Sequence, residues 1–150
     1  MIMDILMQII HNKMLTTAIL SWAIAQVIKT IVFFAVNRKF DWSRLTGDGG
    51  MPSAHSATVT SLATMACIEY GADSGVFAVA AIMAVVVMHD AMGVRLESGK
   101  HAQAINELFD MLDPDVMLDV KLKEFIGHTP SQVVVGAILG LVVALCASRM

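Results

Sequence analysis

The longest apolar stretch runs over residues 14–36, where Lys29 is the only charge and the other polar positions are Thr16, Thr17, Ser21, Gln26 and Thr30. A helix of that length, at about 1.5 Å per residue, exceeds a hydrocarbon core of roughly 30 Å, so the pattern predicts a membrane-crossing helix. The chain opens MIMD, without the basic start of a signal peptide, and stays apolar past position 30. A second stretch, 57–70, lies between Pro52 and Gly71 and is rich in Ala, Ser and Thr. It would insert weakly alone and is expected to pack inside a bundle, where small residues let helices approach closely. A third, 76–94, contains FAVAAIMAVVVM and ends in His89 and Asp90. The fourth, 131–147, has the clearest start, with Thr129 as N-cap, Pro130 at the first helical position and Gln132 as the capping-box residue. Gly136 and Gly140 within it form a GxxxG contact face.

Between the third and fourth stretches lies a polar segment, 96–128. Leu118, Leu122, Phe125 and Ile126 share one helical face there, predicting an amphipathic helix from about Asp113 and Pro114, lying at the membrane interface or packed on the bundle. Residues 1–13 also alternate in a helical way but are too short to span. The fold class expected is all-α, a single integral-membrane domain built as a four-helix bundle with an amphipathic interfacial helix. GxxxG faces also pair between chains, so a homodimer belongs among the expectations.

Composition supports this picture, with 57% hydrophobic residues, 15% charged and a mean hydropathy of +0.71. Disordered chains and ordinary soluble domains are excluded. Ten Lys and Arg against thirteen Asp and Glu leave a net charge of −3 and no basic footprint for nucleic acid, so the partner implied is the lipid bilayer. Cys67 and Cys146 fit no disulfide or zinc spacing and read as buried small hydrophobes. Arg38, Lys39 and Arg44 lie in one connection and Arg95, Lys100, Lys121 and Lys123 in another, whereas 71–75 carries no Lys or Arg. The positive-inside rule puts both basic connections on the cytoplasmic face.

The polar residues that stand out gather toward that face. A lysine inside a span needs a partner or a polar cavity, unless it reaches the headgroups by snorkelling, so Lys29 is a functional candidate. GGMPSAHS, 49–56, reads as a glycine-rich turn with Pro52 opening a helix. Such a start presents unpaired N–H groups and the positive end of the helix dipole to an anion, with Gly50 and Ser53 in the turn and His55 on the first helical turn as a proton donor; a plain helix cap has the same pattern. Arg95 offers a planar fork of donors for phosphate, and His101 a nucleophile or metal ligand. Asp90 is within reach of His89, Arg95 or Lys29. Glu97 stands one helical turn before His101, where it would orient the imidazole.

PSAH at 52–55 resembles the Pro-Ser-Gly-His signature of the type 2 phosphatidic acid phosphatase superfamily, which includes vanadium-dependent haloperoxidases. Arg95 followed by His101 resembles its third signature, and Lys29 with Arg38 its first. GGMPSAHSA, DAMGVR, GKHA, IN and GHTPSQVVVGAILG together look like its divergent branch of small bacterial and plant membrane proteins. The resemblance covers about residues 26–140 and implies a phosphatidic acid phosphatase-like core. It implies hydrolysis of a phosphomonoester or pyrophosphate of a lipid through a phosphohistidine, with no cofactor or metal. Lys29, Arg38 and Arg95 would bind phosphate oxygens, Ser53 and the amides of the 49–55 turn would complete the cradle, His55 would protonate the leaving group and His101 would attack phosphorus. Asp90 or Glu97 would supply the carboxylate that the superfamily places three residues beyond the nucleophile, where this chain has Ile105, and His89 is a rival nucleophile. The expected setting is the cytoplasmic face of a bacterial inner (cytoplasmic) membrane.

The chain also departs from the superfamily pattern. Lys29 and Arg38 stand further apart, Ala54 replaces a glycine and Val94 a serine. These departures motivate two alternatives, a non-catalytic membrane protein that keeps an anion or lipid-headgroup cavity, and a metal site built from His55, His89, Asp90 and His101.

Overall fold

The computed structural model describes residues 1–38, 49–111, 122–124 and 127–150. Six helices are defined among them: α1 (Ile2–Ile10), α2 (Lys13–Asn37), α3 (Ala54–Tyr70), α4 (Gly75–Met92), α5 (Val94–Met111) and α6 (Pro130–Ala147). Short polar residues start three of these. Asn12 Oδ1 accepts the Leu15 N–H at 3.1 Å, Ser53 Oγ the Ser56 N–H at 3.3 Å, and Ser74 Oγ the Phe77 N–H at 3.1 Å. Thr129 and Pro130 open α6 as expected from the sequence. Pro52, expected as the first helical residue of α3, instead stands ahead of the Ser53 cap after a cis peptide bond.

Helices α2, α4 with its continuation α5, and α6 are long and apolar enough to cross a membrane. The second expected span, α3, does not meet that measure and holds a different position. It packs against α2, α4 and α6 and buries Ala54, Ser56, Ala57, Val59, Ser61, Ala63, Met65 and Ala66. The outer helices turn large apolar side chains outward, including Ile19, Trp22, Val27 and Ile31 on α2, Val79, Ile82, Val85 and Val86 on α4, and Val134, Ile138 and Val142 on α6. Small residues inside and bulky apolar residues outside fit a bundle solvated by lipid tails.

Closest approach falls between α3 and α6. A Cβ on Gly136 would overlap the Ser53 carbonyl oxygen, and one on Gly140 the Ala57 carbonyl oxygen. The GxxxG face is therefore consumed inside the chain. Ser21 of α2 donates its hydroxyl to the Ala57 carbonyl at 3.0 Å, joining a third helix to the same seam.

Three further expectations change. Residues 96–111, read as part of a polar connection, belong to α5, which packs on α4 alone among the described helices. Most of the amphipathic helix expected from Asp113 lies outside the described residues; of its members, 122–124 are not helical and are held by Asn106, whose Nδ2 donates to the Leu122 carbonyl at 2.9 Å and Glu124 Oε1 at 2.7 Å. Cys67 is half-buried and Cys146 exposed, because they fall at the edges of the packed faces of α3 and α6.

Replacing Gly140 by Val should force α6 off α3 and cost about 1–3 kcal/mol, the usual range for overpacking. Gly75→Ala, where an added Cβ meets nothing within 4 Å, should leave stability within about 0.5 kcal/mol of the parent. Thermal unfolding in detergent distinguishes the two.

Candidate functional site

Four of the functional candidates, Lys29, Gly50, Ser53 and His55, gather where α2 approaches its C-terminal end and α3 and α6 begin. Ala25, Gln26, Lys29 and Thr30 face inward on α2, and Lys29 is only 4% exposed. Its aliphatic stem lies under the 49–51 turn, where a Cβ on Gly50 would stand 3.3 Å from Lys29 Cγ. Gly50 also has φ +82°, so a side chain there meets both backbone strain and the lysine. Lys29 further lines a cavity of about 170 Å³ whose other walls include Val32, Phe33, Val36 and Met51. The buried lysine thus borders a mostly apolar space.

Ser53 plays a narrower part than expected. Its side chain is fully buried, and its hydroxyl accepts from the Ser56 N–H and, at 2.9 Å, from the Ser56 hydroxyl. Its own amide donates to the Gln132 carbonyl at 3.1 Å. Ser53 therefore caps α3 and ties it to α6. His55, on the first turn of α3, points the other way, toward a second histidine.

That second histidine is His128, only 2% exposed, in the segment leading into α6. The His55 and His128 rings meet edge to face, with centroids 6.1 Å apart and planes at 63°. The His128 amide donates to the Ala91 carbonyl at 2.9 Å, and Gly127, at φ +96°, lies so close to the Arg95–Leu96 backbone that any Cβ would overlap it. His128 Nδ1 stands 3.2 Å from Gln132 Oε1, which also accepts the Thr129 N–H at 3.1 Å. Burial holds His128 below the ordinary 6.5 of a histidine; the Gln132 and Gly50 backbone hydrogen bonds oppose this, while the positive charge of Lys29 and of protonated His55 reinforces it. The ring is neutral at neutral pH.

At the α4–α5 junction Arg95 Nε donates to Asp90 Oδ2 at 2.7 Å, choosing one among the three partners open to Asp90 in the sequence. The pair is about two-fifths exposed, so its contribution to stability is small, and its consequence is orientation of the guanidinium. Other candidates stand apart. His101 is exposed on α5, and Glu97 pairs with Lys100 at 2.6 Å instead of orienting it. Arg38 is exposed at the C-cap of α2, nine residues beyond Lys29, or about 13 Å along a helix. His89 is exposed. Among the described residues no three His, Cys, Asp or Glu side chains converge as metal ligands, so the four residues weighed for a metal site do not form one.

His128 is the residue that the sequence reading passed over. Its signal lies in GHTPSQ, where Gln132 follows His128 after the same three intervening residues that separate the superfamily's nucleophilic histidine from its aspartate.

The Divergent PAP2 family model matches residues 10–143, and the chain belongs to that family. An uncharacterized membrane protein of Bacillus subtilis, YuiD, is 40% identical over an alignment covering 93% of this chain and 96% of the relative. No solved structure matches.

The depressed His128 predicts a pH dependence of stability. Between its lowered folded value and 6.5 the unfolded chain takes up a proton that the folded chain refuses, so stability should fall as pH drops through 6.5 and level off once folded His128 is protonated too. Thermal midpoints in detergent from about pH 7.5 down to about pH 5 should show this slope, and His128→Asn should flatten it.

Proposed function

We propose that this member of the divergent PAP2 family hydrolyses a phosphomonoester or pyrophosphate of a lipid through a phosphohistidine, with His128 as nucleophile and His55 as general acid. The observation that carries the reading is the buried His128 facing His55 beside the buried Lys29, at the starts of both α3 and α6. Helix starts and a lysine favour an anion, and two histidines on one tetrahedral phosphate supply a nucleophile and a proton. The apolar cavity bordering Lys29 favours a phosphate attached to a hydrocarbon chain over a soluble one.

In the first step the unprotonated ring nitrogen of His128 attacks phosphorus as the bond to the leaving oxygen breaks, and protonated His55 gives its proton to that oxygen. Lys29 and Arg95 bear on the non-bridging oxygens, where charge spreads during transfer. Neutral His55 then takes a proton from water, which attacks phosphorus and breaks the N–P bond, returning inorganic phosphate and free His128. His128 replaces His101 in this scheme, since His101 is exposed on α5, which among the described helices packs on α4 alone. Arg95 stays oriented by Asp90. The basic residues Arg38, Arg95 and Lys100 favour a site facing the cytoplasm from the bacterial cytoplasmic membrane.

Phosphate release by the purified protein from a panel of lipid phosphates, with chelator present, tests the reading. Wild type should turn over, and His55→Ala and His128→Ala should each lose about 10²-fold or more while remaining folded. His101→Ala should stay within about threefold of wild type, since no reacting group depends on it. Lipid phosphate binding by wild type without release would favour the non-catalytic alternative.

A further inference from the structure

We infer that Gln132 is a positioning residue, holding His128 in the Nδ1–H tautomer so that a single amide oxygen both caps α6 and turns the Nε2 lone pair of His128 toward His55 and Lys29. The tautomer follows from geometry alone; its catalytic consequence rests on the phosphoryl-transfer reading above.

Which end of a glutamine amide faces a neighbour follows from the surrounding hydrogen-bond network. Here a second donor decides it. The Thr129 N–H points at Gln132 Oε1 from 3.1 Å, and a backbone N–H cannot face an NH₂ group, so the oxygen end is fixed. That same oxygen lies 3.2 Å from His128 Nδ1. An acceptor there is attractive only if Nδ1 carries the proton. A neutral imidazole has one N–H, so Nε2 is left with its lone pair.

Four groups from separate parts of the fold act on this ring: Lys29 of α2, the Gly50 backbone, His55 of α3 and Gln132 of α6. Gly50 competes with Gln132 for a proton on the ring. Gln132 holds the advantage, because turning its amide to suit the other tautomer would also break the Thr129 bond. Gly50 is the partner yielded when Nε2 engages a phosphate. Because Gln132 is neutral, it orients the ring without adding the negative charge that would stabilise the imidazolium. An oriented, unprotonated nucleophile therefore persists to lower pH than it would beside a carboxylate.

The test uses full-length protein in detergent with ¹⁵N-labelled histidine rings, the His128 signals being those lost in His128→Asn. Wild type and Thr129→Ala, which removes a capping side chain but keeps the backbone N–H, should both show protonated Nδ1 and bare Nε2. Gln132→Leu should lose that pattern, giving the other tautomer or a mixture. Gln132→Glu should keep it and titrate at higher pH than wild type. On lipid phosphates, Gln132→Leu should lower kcat by about 10²-fold or more with little change in KM, and Gln132→Glu should recover most of it with the acidic limb of the pH profile moved upward.

Protonated Nε2 in wild type, or an unchanged tautomer in folded Gln132→Leu, overturns the inference. If Gln132→Leu does not fold, the wild-type spectrum and the Gln132→Glu titration decide it. Spectra as expected with no phosphate release from any form would leave the positioning role standing and remove the phosphatase reading.

Discussion

The bundle depends on how closely α6 can lie against α3. Lipid tails are as apolar as the helices, so burial of hydrocarbon does not drive the contact, and close van der Waals approach and backbone hydrogen bonding have to. Gly136 and Gly140 set α6 directly on the Ser53 and Ala57 carbonyls, and the Ser53 amide closes the seam by donating to the Gln132 carbonyl. With the two helices in that register, His55 on the first turn of α3 and His128 just before α6 have little choice but to face one another. The site is a consequence of the seam.

Two helix starts at one place also set the local field. Each carries partial positive charge from N–H groups that have no partner within their own helix. Buried Lys29 adds a full charge from α2, and the Gly127 contact with the Arg95–Leu96 backbone draws the α4–α5 junction, and Arg95 with it, to the same end. Buried Lys29 and two helix starts thus share one end of the bundle, where an anion would gain from their charge. The lowered His128 is a product of that field as well as of burial, since further protonation is opposed by the charges already present.

Much of this was legible in the chain. Periodicity and length located α2, α4 and α6, and Thr129, Pro130 and Gln132 marked the start of α6, because caps and apolar runs are local signals. GGMPSAHS lies at the end of the bundle where buried Lys29 and His128 also stand. Tertiary facts were harder to read. Central placement of α3 could be anticipated from its small residues, but the occupation of GxxxG within the chain depends on a partner 83 residues away. The resemblance put the nucleophile at His101, which is exposed on α5, whereas His128 meets His55 because Gly127 lets the chain turn at positive φ against α5. Local spacing carries no information about such a return.

The distribution of negative charge around the site has its own logic. Arg95 is oriented by a carboxylate, Asp90, and the pair sits where water still reaches it, so the cost of desolvating two charges stays small. The bond to Asp90 uses Nε, and a guanidinium has five N–H donors, so orientation does not exhaust its capacity for phosphate. His128 is oriented by a neutral amide in a buried place, where a carboxylate would both pay a large desolvation cost and hold the ring protonated. On the phosphoryl-transfer reading, a cation that stays charged is given an anion, and a base that works unprotonated is given a dipole. Asp90 and Gln132 could not exchange places without reversing both effects.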